Sequence, residues 1–148
     1  MGYHFYVMGL QDPTTPPLIF NVLVGNSDSH AKNYSILIGA GGTAKLAPLY
    51  DVMCAVVYRN VDQSLPQAIG KRTNPNELHG DDWRMLAGAS GLSAAATLAR
   101  VRELAQRVSA NTAEAVARVN AMPAGGHEVL KRAEHAIGKL CERILRQL

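Results

Sequence analysis

Apolar positions recur at three- and four-residue steps along the carboxy-terminal two-thirds of this chain, the spacing of helices that bury one face. Behind Ser93, a good N-cap, Leu98, Val101, Leu104, Val108, Ala115, Val119 and Met122 keep this step, and Pro123-Ala124-Gly125-Gly126 closes it. Ser109-Ala110-Asn111 is the expected break in that long pattern. A final helix carries Leu130, Ala133, Ile137, Leu140, Ile144 and Leu148 on one face, with Lys and Arg opposite. A shorter one runs through Trp83, Leu86 and Ala87, capped by Asp81 or Asp82 and stopped by Gly88 or Gly91, with Trp83 as its core anchor. Nearer the start, Thr15 caps a helix whose first turn holds Pro16 and Pro17, whose stripe is Leu18, Ile19, Val22 and Leu23, and whose end is Gly25 in a left-handed conformation. Tyr34 to Ile38 has strand composition, Gly39-Ala40-Gly41-Gly42 is a turn, and Thr43 to Leu46 returns as a second strand that Pro48 limits. The expected fold is mainly α: a helical bundle with a small β-hairpin at its front. Residues 1–14 alternate loosely and read as a partial strand or a leader; residues 15–148 form the domain.

Composition narrows the class without naming a function. The 148 residues are 47% hydrophobic and 18% charged, ordinary values for one globular domain. No apolar run reaches the ~18 residues of a membrane span. Cys54 and Cys141 match no metal spacing and make no disulfide framework, so a reduced, cytoplasmic setting is the default. Cys54 is expected to fill a buried gap. The net charge of +3 is spread along helical segments, which gives direct nucleic-acid contact little support. Lys71 and Arg72 read as solvated. His127 and His135 fall on nearly one helix face but lack a third ligand in register, so both are placed at the surface.

Chemistry concentrates in Asn26-Ser27-Asp28-Ser29-His30-Ala31-Lys32-Asn33, which holds an acid, an imidazole, an ammonium and two amides between two apolar elements. Asn26 and Ser27 read as turn formers. A second acid, Asp51, follows Pro48-Leu49-Tyr50, and Tyr50 is expected to pack beneath the loop. If the hairpin turns on Gly41, Asn33 lies opposite Leu49, and strand geometry then brings the backbones of Asn33 and Asp51 within roughly 8–10 Å. Two acids and an amide oxygen converging at a hairpin mouth are oxygen ligands only, the preference of magnesium. Phosphoryl transfer asks little more of a protein than positioning and charge neutralisation. The glycine turn lacks phosphate-loop spacing and is turn chemistry.

The order Asp-x-His-x-Lys-Asn, a strand, a turn, then Pro-Leu-Tyr-Asp resembles the carboxy-terminal lobe of HipA-type serine/threonine kinases, the toxins of type II toxin–antitoxin systems. The likeness is specific from about Leu18 to Ala55. It implies ATP and magnesium as cofactors, Asp28 as catalytic base, Asn33 and Asp51 as magnesium ligands, and a protein hydroxyl as phosphoacceptor. His30 stands where other protein kinases carry a basic residue on the transferred phosphate; a loop-stabilising hydrogen bond is its competing role. Lys32 is the candidate for nucleotide contact, against pairing with an acid or lying in solvent. The likeness also implies a HipB-like antitoxin with a helix-turn-helix as partner. No strand with the nucleotide lysine and no glycine loop over phosphates is present. The expectation is therefore a fragment, a truncated product or one half of a split kinase completed by a separate amino-terminal lobe, with at most feeble activity alone. The alternatives are a non-catalytic interaction module derived from such a kinase and a small-molecule phosphotransferase; a metal hydrolase on Asp28 and His30 is weaker still.

Overall fold

A computed structural model describes residues 15–123 and 125–148. The strand or leader expected over 1–14 lies outside the described residues. The periodic segments form four helices, α1 (Thr15–Leu23), α2 (Gly80–Ala89), α3 (Ala94–Asn120) and α4 (Val129–Gln147). The strand pattern forms one antiparallel pair, β1 (Ile36–Ile38) and β2 (Ala44–Leu46). The fold is mainly α with a small hairpin, as the hydrophobic spacing requires.

Helix α3 is the element the others share, packing against α1, α2 and α4. Its residues Val101 and Ala105 are fully buried in one cluster with Ile19, Val22 and Leu23 of α1, Trp83 of α2, and Leu140, Cys141 and Ile144 of α4. Each large apolar side chain so enclosed contributes about 1.5–3 kcal/mol of transfer free energy. The expected break at Ser109-Ala110-Asn111 does not occur, and α3 runs unbroken for 27 residues. The side chains that threatened it are occupied within the helix. The Asn111 amide donates to the Arg107 carbonyl at 2.7 Å and the Thr112 hydroxyl to the Val108 carbonyl at 2.6 Å. Bonded one turn back, these groups no longer compete for the ladder that propagates the helix.

Helix α2 also differs at its start. His79 occupies the N-cap position, and Asp81 and Asp82 sit inside the first turn. Asp82 Oδ2 accepts the backbone N–H of His79 at 3.0 Å, satisfying a donor the helix leaves open and placing negative charge at the positive end of the dipole. The same buried carboxylate lies 3.3 Å from Nε of Arg72. Arg72 is exposed as expected, and it also tethers the 69–72 turn to α2 and reaches Glu77. Lys71 is exposed as expected.

The hairpin register is Ile36 with Leu46, Leu37 with Lys45 and Ile38 with Ala44, centred on Gly41 at φ 77°. The pairing is the expected one, but it is shorter. One further bond, Ala47 N–H to the Ser35 carbonyl at 2.8 Å, extends it; Pro48 then removes a donor. Asn33 sits in a 3-10 turn, Ala31–Asn33, instead of facing Leu49 across a ladder. Ile36, Leu37 and Ile38 are all exposed, so no layer of the described chain covers this hairpin.

Candidate functional site

The loop after α1 is shaped by buried amides. Asn21, inside the apolar stripe of α1, donates through Nδ2 to the Tyr34 hydroxyl at 2.8 Å and accepts from Asn26 Nδ2 at 2.9 Å. Asn26 is fully buried. Its Oδ1 accepts the backbone N–H of Asp28 at 3.1 Å, and its Nδ2 also lies 3.5 Å from the carbonyl oxygen of Asp51. One side chain thus touches the main chain at both acids, twenty-three residues apart. Burial pushes the Tyr34 hydroxyl above its ordinary pKa, against the lowering effect of its bonds with Asn21 and Ser29.

Asp28 is fixed at both backbone ends. Its N–H is held by Asn26, and its carbonyl accepts the His30 N–H at 2.7 Å and Nδ2 of Asn33 at 2.9 Å. Asn33 is buried, and spending its nitrogen on Asp28 leaves its Oδ1 as the group available to a cation. The Asp28 carboxylate is half-exposed, with Oδ1 3.1 Å from His30 Nε2. Lys32 is exposed and makes no ion pair among the described residues. Asp51 is exposed, and with φ 54° it is the non-glycine residue in the left-handed region among those described. That conformation is uncommon for a side chain bearing Cβ and clusters at functional sites.

The return from the hairpin is anchored to the root of the loop. The Ala55 N–H donates to the Gly25 carbonyl at 3.0 Å. Gly25 has φ 68°, and a Cβ there would lie 2.7 Å from Val56 Cγ1. Ser27 adds a second tie, donating to the Asp62 carbonyl at 2.7 Å. Tyr50 does not pack beneath the loop. It is 45% exposed, donates to the Lys32 carbonyl at 2.8 Å and meets the Ser35 hydroxyl at 2.9 Å, clamping the loop from outside. The polar ring between Pro48 and Asp51 makes this possible, since a phenol needs a partner at its tip.

Of the residues singled out in the sequence, Asp28, His30, Asn33 and Asp51 are gathered by these amides into one neighbourhood, and Lys32 lies on its solvent side. The side chains of Asp28, Asp51 and Asn33 offer oxygen donors only, the ligand class that magnesium prefers and a soft metal does not. No group of three or more His, Cys, Asp or Glu side chains that could hold a metal occurs among the described residues. Asn21, Asn26 and Tyr50 were missed as organisers of the site. The available signal was Asn21, an amide inside an apolar helical stripe. Cys54 is half-buried and Cys141 buried, both free, with burial raising each thiol's pKa. His127 and His135 are exposed.

Comparison with known proteins follows this geometry. The model of the HipA-like C-terminal domain matches residues 16–116. The chain is similar to the Sinorhizobium fredii protein named "Putative kinase Y4mE", 41% identical over 101 residues that cover 68% of this chain and 23% of that protein. It is similar to the serine/threonine-protein kinase toxin HipA of Shewanella oneidensis, 29% identical over 98 residues, 66% of this chain and 22% of that one. Among solved structures it resembles a chain of the Shewanella oneidensis toxin–antitoxin complex of HipA, HipB and operator DNA. The TM-score is 0.78 at 25% identity, covering 89% of this chain and 31% of that one. The chain spans about a quarter of the length of these curated relatives. No helix among the described residues is long and apolar enough to cross a membrane.

Proposed function

The chain belongs to the HipA-like C-terminal domain family, and from that membership we propose that it is the catalytic lobe of a HipA-type serine/threonine protein kinase. The reaction is transfer of the γ-phosphoryl group of ATP to a protein hydroxyl. The observation that carries this reading is the Asn26 amide, which meets the Asp28 N–H and the Asp51 carbonyl together. Asp28, with one carboxylate oxygen turned to His30, accepts the acceptor hydroxyl's proton through the other. His30 holds that carboxylate in place. Asn33 Oδ1 and the Asp51 carboxylate are the groups that would hold magnesium, whose chemistry is to neutralise charge on the nucleotide phosphates. Lys32, exposed at the rim, is assigned to the nucleotide side. The nucleotide-binding half comes from another lobe, in the same polypeptide or in a partner chain. By likeness to the Shewanella complex, a HipB-like antitoxin is the assigned partner.

The test supplies this lobe with a nucleotide-binding lobe, in cis or in trans, and follows label transfer from γ-labelled ATP. Asp28→Asn is expected to lower the rate about 10²–10⁴-fold, the usual contribution of a positioned general base. Transfer that survives the substitution rejects the assignment. On the chain alone, titrated magnesium is expected to shift the Asn33 side-chain amide resonances, and Asp51→Asn to abolish the shift; removing the ion with chelator restores the starting spectrum.

A further inference from the structure

Positive charge looks dispersed along the sequence, and α4 gathers it. Arg132, His135, Lys139, Arg143 and Arg146 follow one another at intervals of three, four, four and three residues. At 3.6 residues per turn and 1.5 Å per residue they fall within an arc of about 80° and run along about 21 Å of one face. The opposite side of the helix holds Leu140, Cys141 and Ile144 in the core, so the basic face turns outward. Arg132, His135, Lys139 and Arg146 are exposed and Arg143 is half-buried. Elsewhere surface arginines meet acids: Arg84 pairs with Asp81, and Arg100 and Arg107 share Glu103. No cation of α4 forms an ion pair among the described residues. Glu128 precedes the stripe and Glu142 borders it, two acids against four permanent cations.

Two of the guanidiniums are held in place without being neutralised. Arg132 donates to the Val57 carbonyl and Arg143 to the Asn76 side-chain oxygen, both neutral acceptors, and each keeps further N–H groups for an anion. A guanidinium already fixed in this way loses less freedom on binding. At its N-terminal end the stripe meets a cleft of about 730 Å³ that Arg132 and His135 line together with Arg59, another cation with no ion pair among the described residues. We propose that this face of α4 binds the phosphate backbone of duplex DNA. Its length spans about six phosphates of one strand, which follow at ~3.4 Å along the duplex axis. The stripe has no aromatic side chain to stack an unpaired base and no hydroxyl or amide to accept from a ribose 2′-hydroxyl, so a single strand or an RNA duplex finds nothing more to recognise it. A protein partner is gripped by aromatic and apolar anchors, and none lies among these residues. Because the apolar face of α4 is packed into the core, the helix cannot lie in a bilayer surface. The proposal needs neither Asp28 nor a metal and stands apart from the kinase reading.

Fluorescence anisotropy on the full chain tests this with four labelled probes: a short DNA duplex, the RNA duplex and the DNA single strand of the same sequence, and a glutamate-rich peptide. The DNA duplex is expected to bind tightest. With four permanent cations on phosphates, log K falls against log salt with a slope of about −3.6, a loss on the order of a hundredfold between about 50 and 200 mM salt. Lys139→Ala and Arg146→Ala are each expected to reduce that slope by about one and to weaken binding several-fold at low salt. Both residues are exposed and outside the core, and an unchanged urea midpoint shows that the fold is intact. Arg107→Ala removes the same charge from α3, where Glu103 already pairs it, and is expected to leave binding unchanged. Equal losses in Arg107→Ala and the α4 variants mean that DNA follows net charge and not the stripe, which overturns the proposal. DNA binding that salt does not weaken, or tighter binding of the RNA duplex, the single strand or the peptide, overturns it as well.

Discussion

A buried asparagine that satisfies both ends of its amide from the protein is costly to remove, because its partners lose their bonds and cannot recover them from water. Asn26 is in that position, with Asp28 on Oδ1 and Asn21 on Nδ2. Asn26→Ala is expected to cost about 2–3 kcal/mol, read as a lower urea midpoint with an unchanged slope. It is also expected to depress transfer in the completed kinase, since the main chain at Asp28 and Asp51 then loses its common support. The surface pair of Arg84 and Asp81 is the contrast: at 2.7 Å and largely exposed, it contributes little, and Arg84→Ala is expected to leave the midpoint within experimental error.

At the scale of elements, the site depends on how closely the return segment approaches the end of α1. Gly25 is left-handed, and its missing Cβ is the space that Val56 fills. Gly25→Ala adds both a backbone penalty and an overlap, an expected loss of about 1–3 kcal/mol in thermal or denaturant unfolding. The two contributions separate in a double-mutant cycle. Val56→Ala in the same chain relieves the overlap and leaves the backbone part, so the double variant is expected to be more stable than the sum of the singles predicts. Additive losses would mean that the two residues do not touch. The length of α3 has a similar local cause, since Asn111 and Thr112 bond the turn behind them and let the helix continue.

For the whole molecule, the core carries a pH signature. Cys141 lies at the centre of the apolar cluster where α4 meets α1, and burial, reinforced by the neighbouring Glu142 charge, pushes its thiol up to about 11 from 9.0. The folded state therefore holds this proton more tightly than the unfolded chain does. The associated stability is complete below pH 9 and is lost as pH rises from about 9 to 11, with on the order of 2 kcal/mol at stake. Cys54 and Tyr34, both shifted up by burial, act in the same direction. The expected measurement is an unfolding free energy that falls steeply above pH 9, with a shallower fall in Cys141→Ala. A second readout is alkylation at neutral pH, which is expected to label Cys54 before Cys141.

Periodicity was enough to set four helices, a hairpin turning on Gly41 and the helical part of the core, because burying one face of an element leaves a repeat that survives in the chain alone. It did not reveal Leu65, Ile69 and Leu78, which join the core from an irregular stretch, and it carried the α3 stripe on to Val119 and Met122, which are exposed. The spacing of Asp28, His30 and Asn33 was legible for the same local reason, since all three sit on one short loop. The partners of polar groups were not legible. Arg72 finding Asp82, Tyr50 clasping Lys32, and Asn26 joining Asp28 to Asp51 all link positions far apart along the chain. A hydrogen bond leaves no repeat in sequence, and its donor and acceptor meet only after the helices have packed. Tertiary structure alone therefore decided which amides hold the acids together.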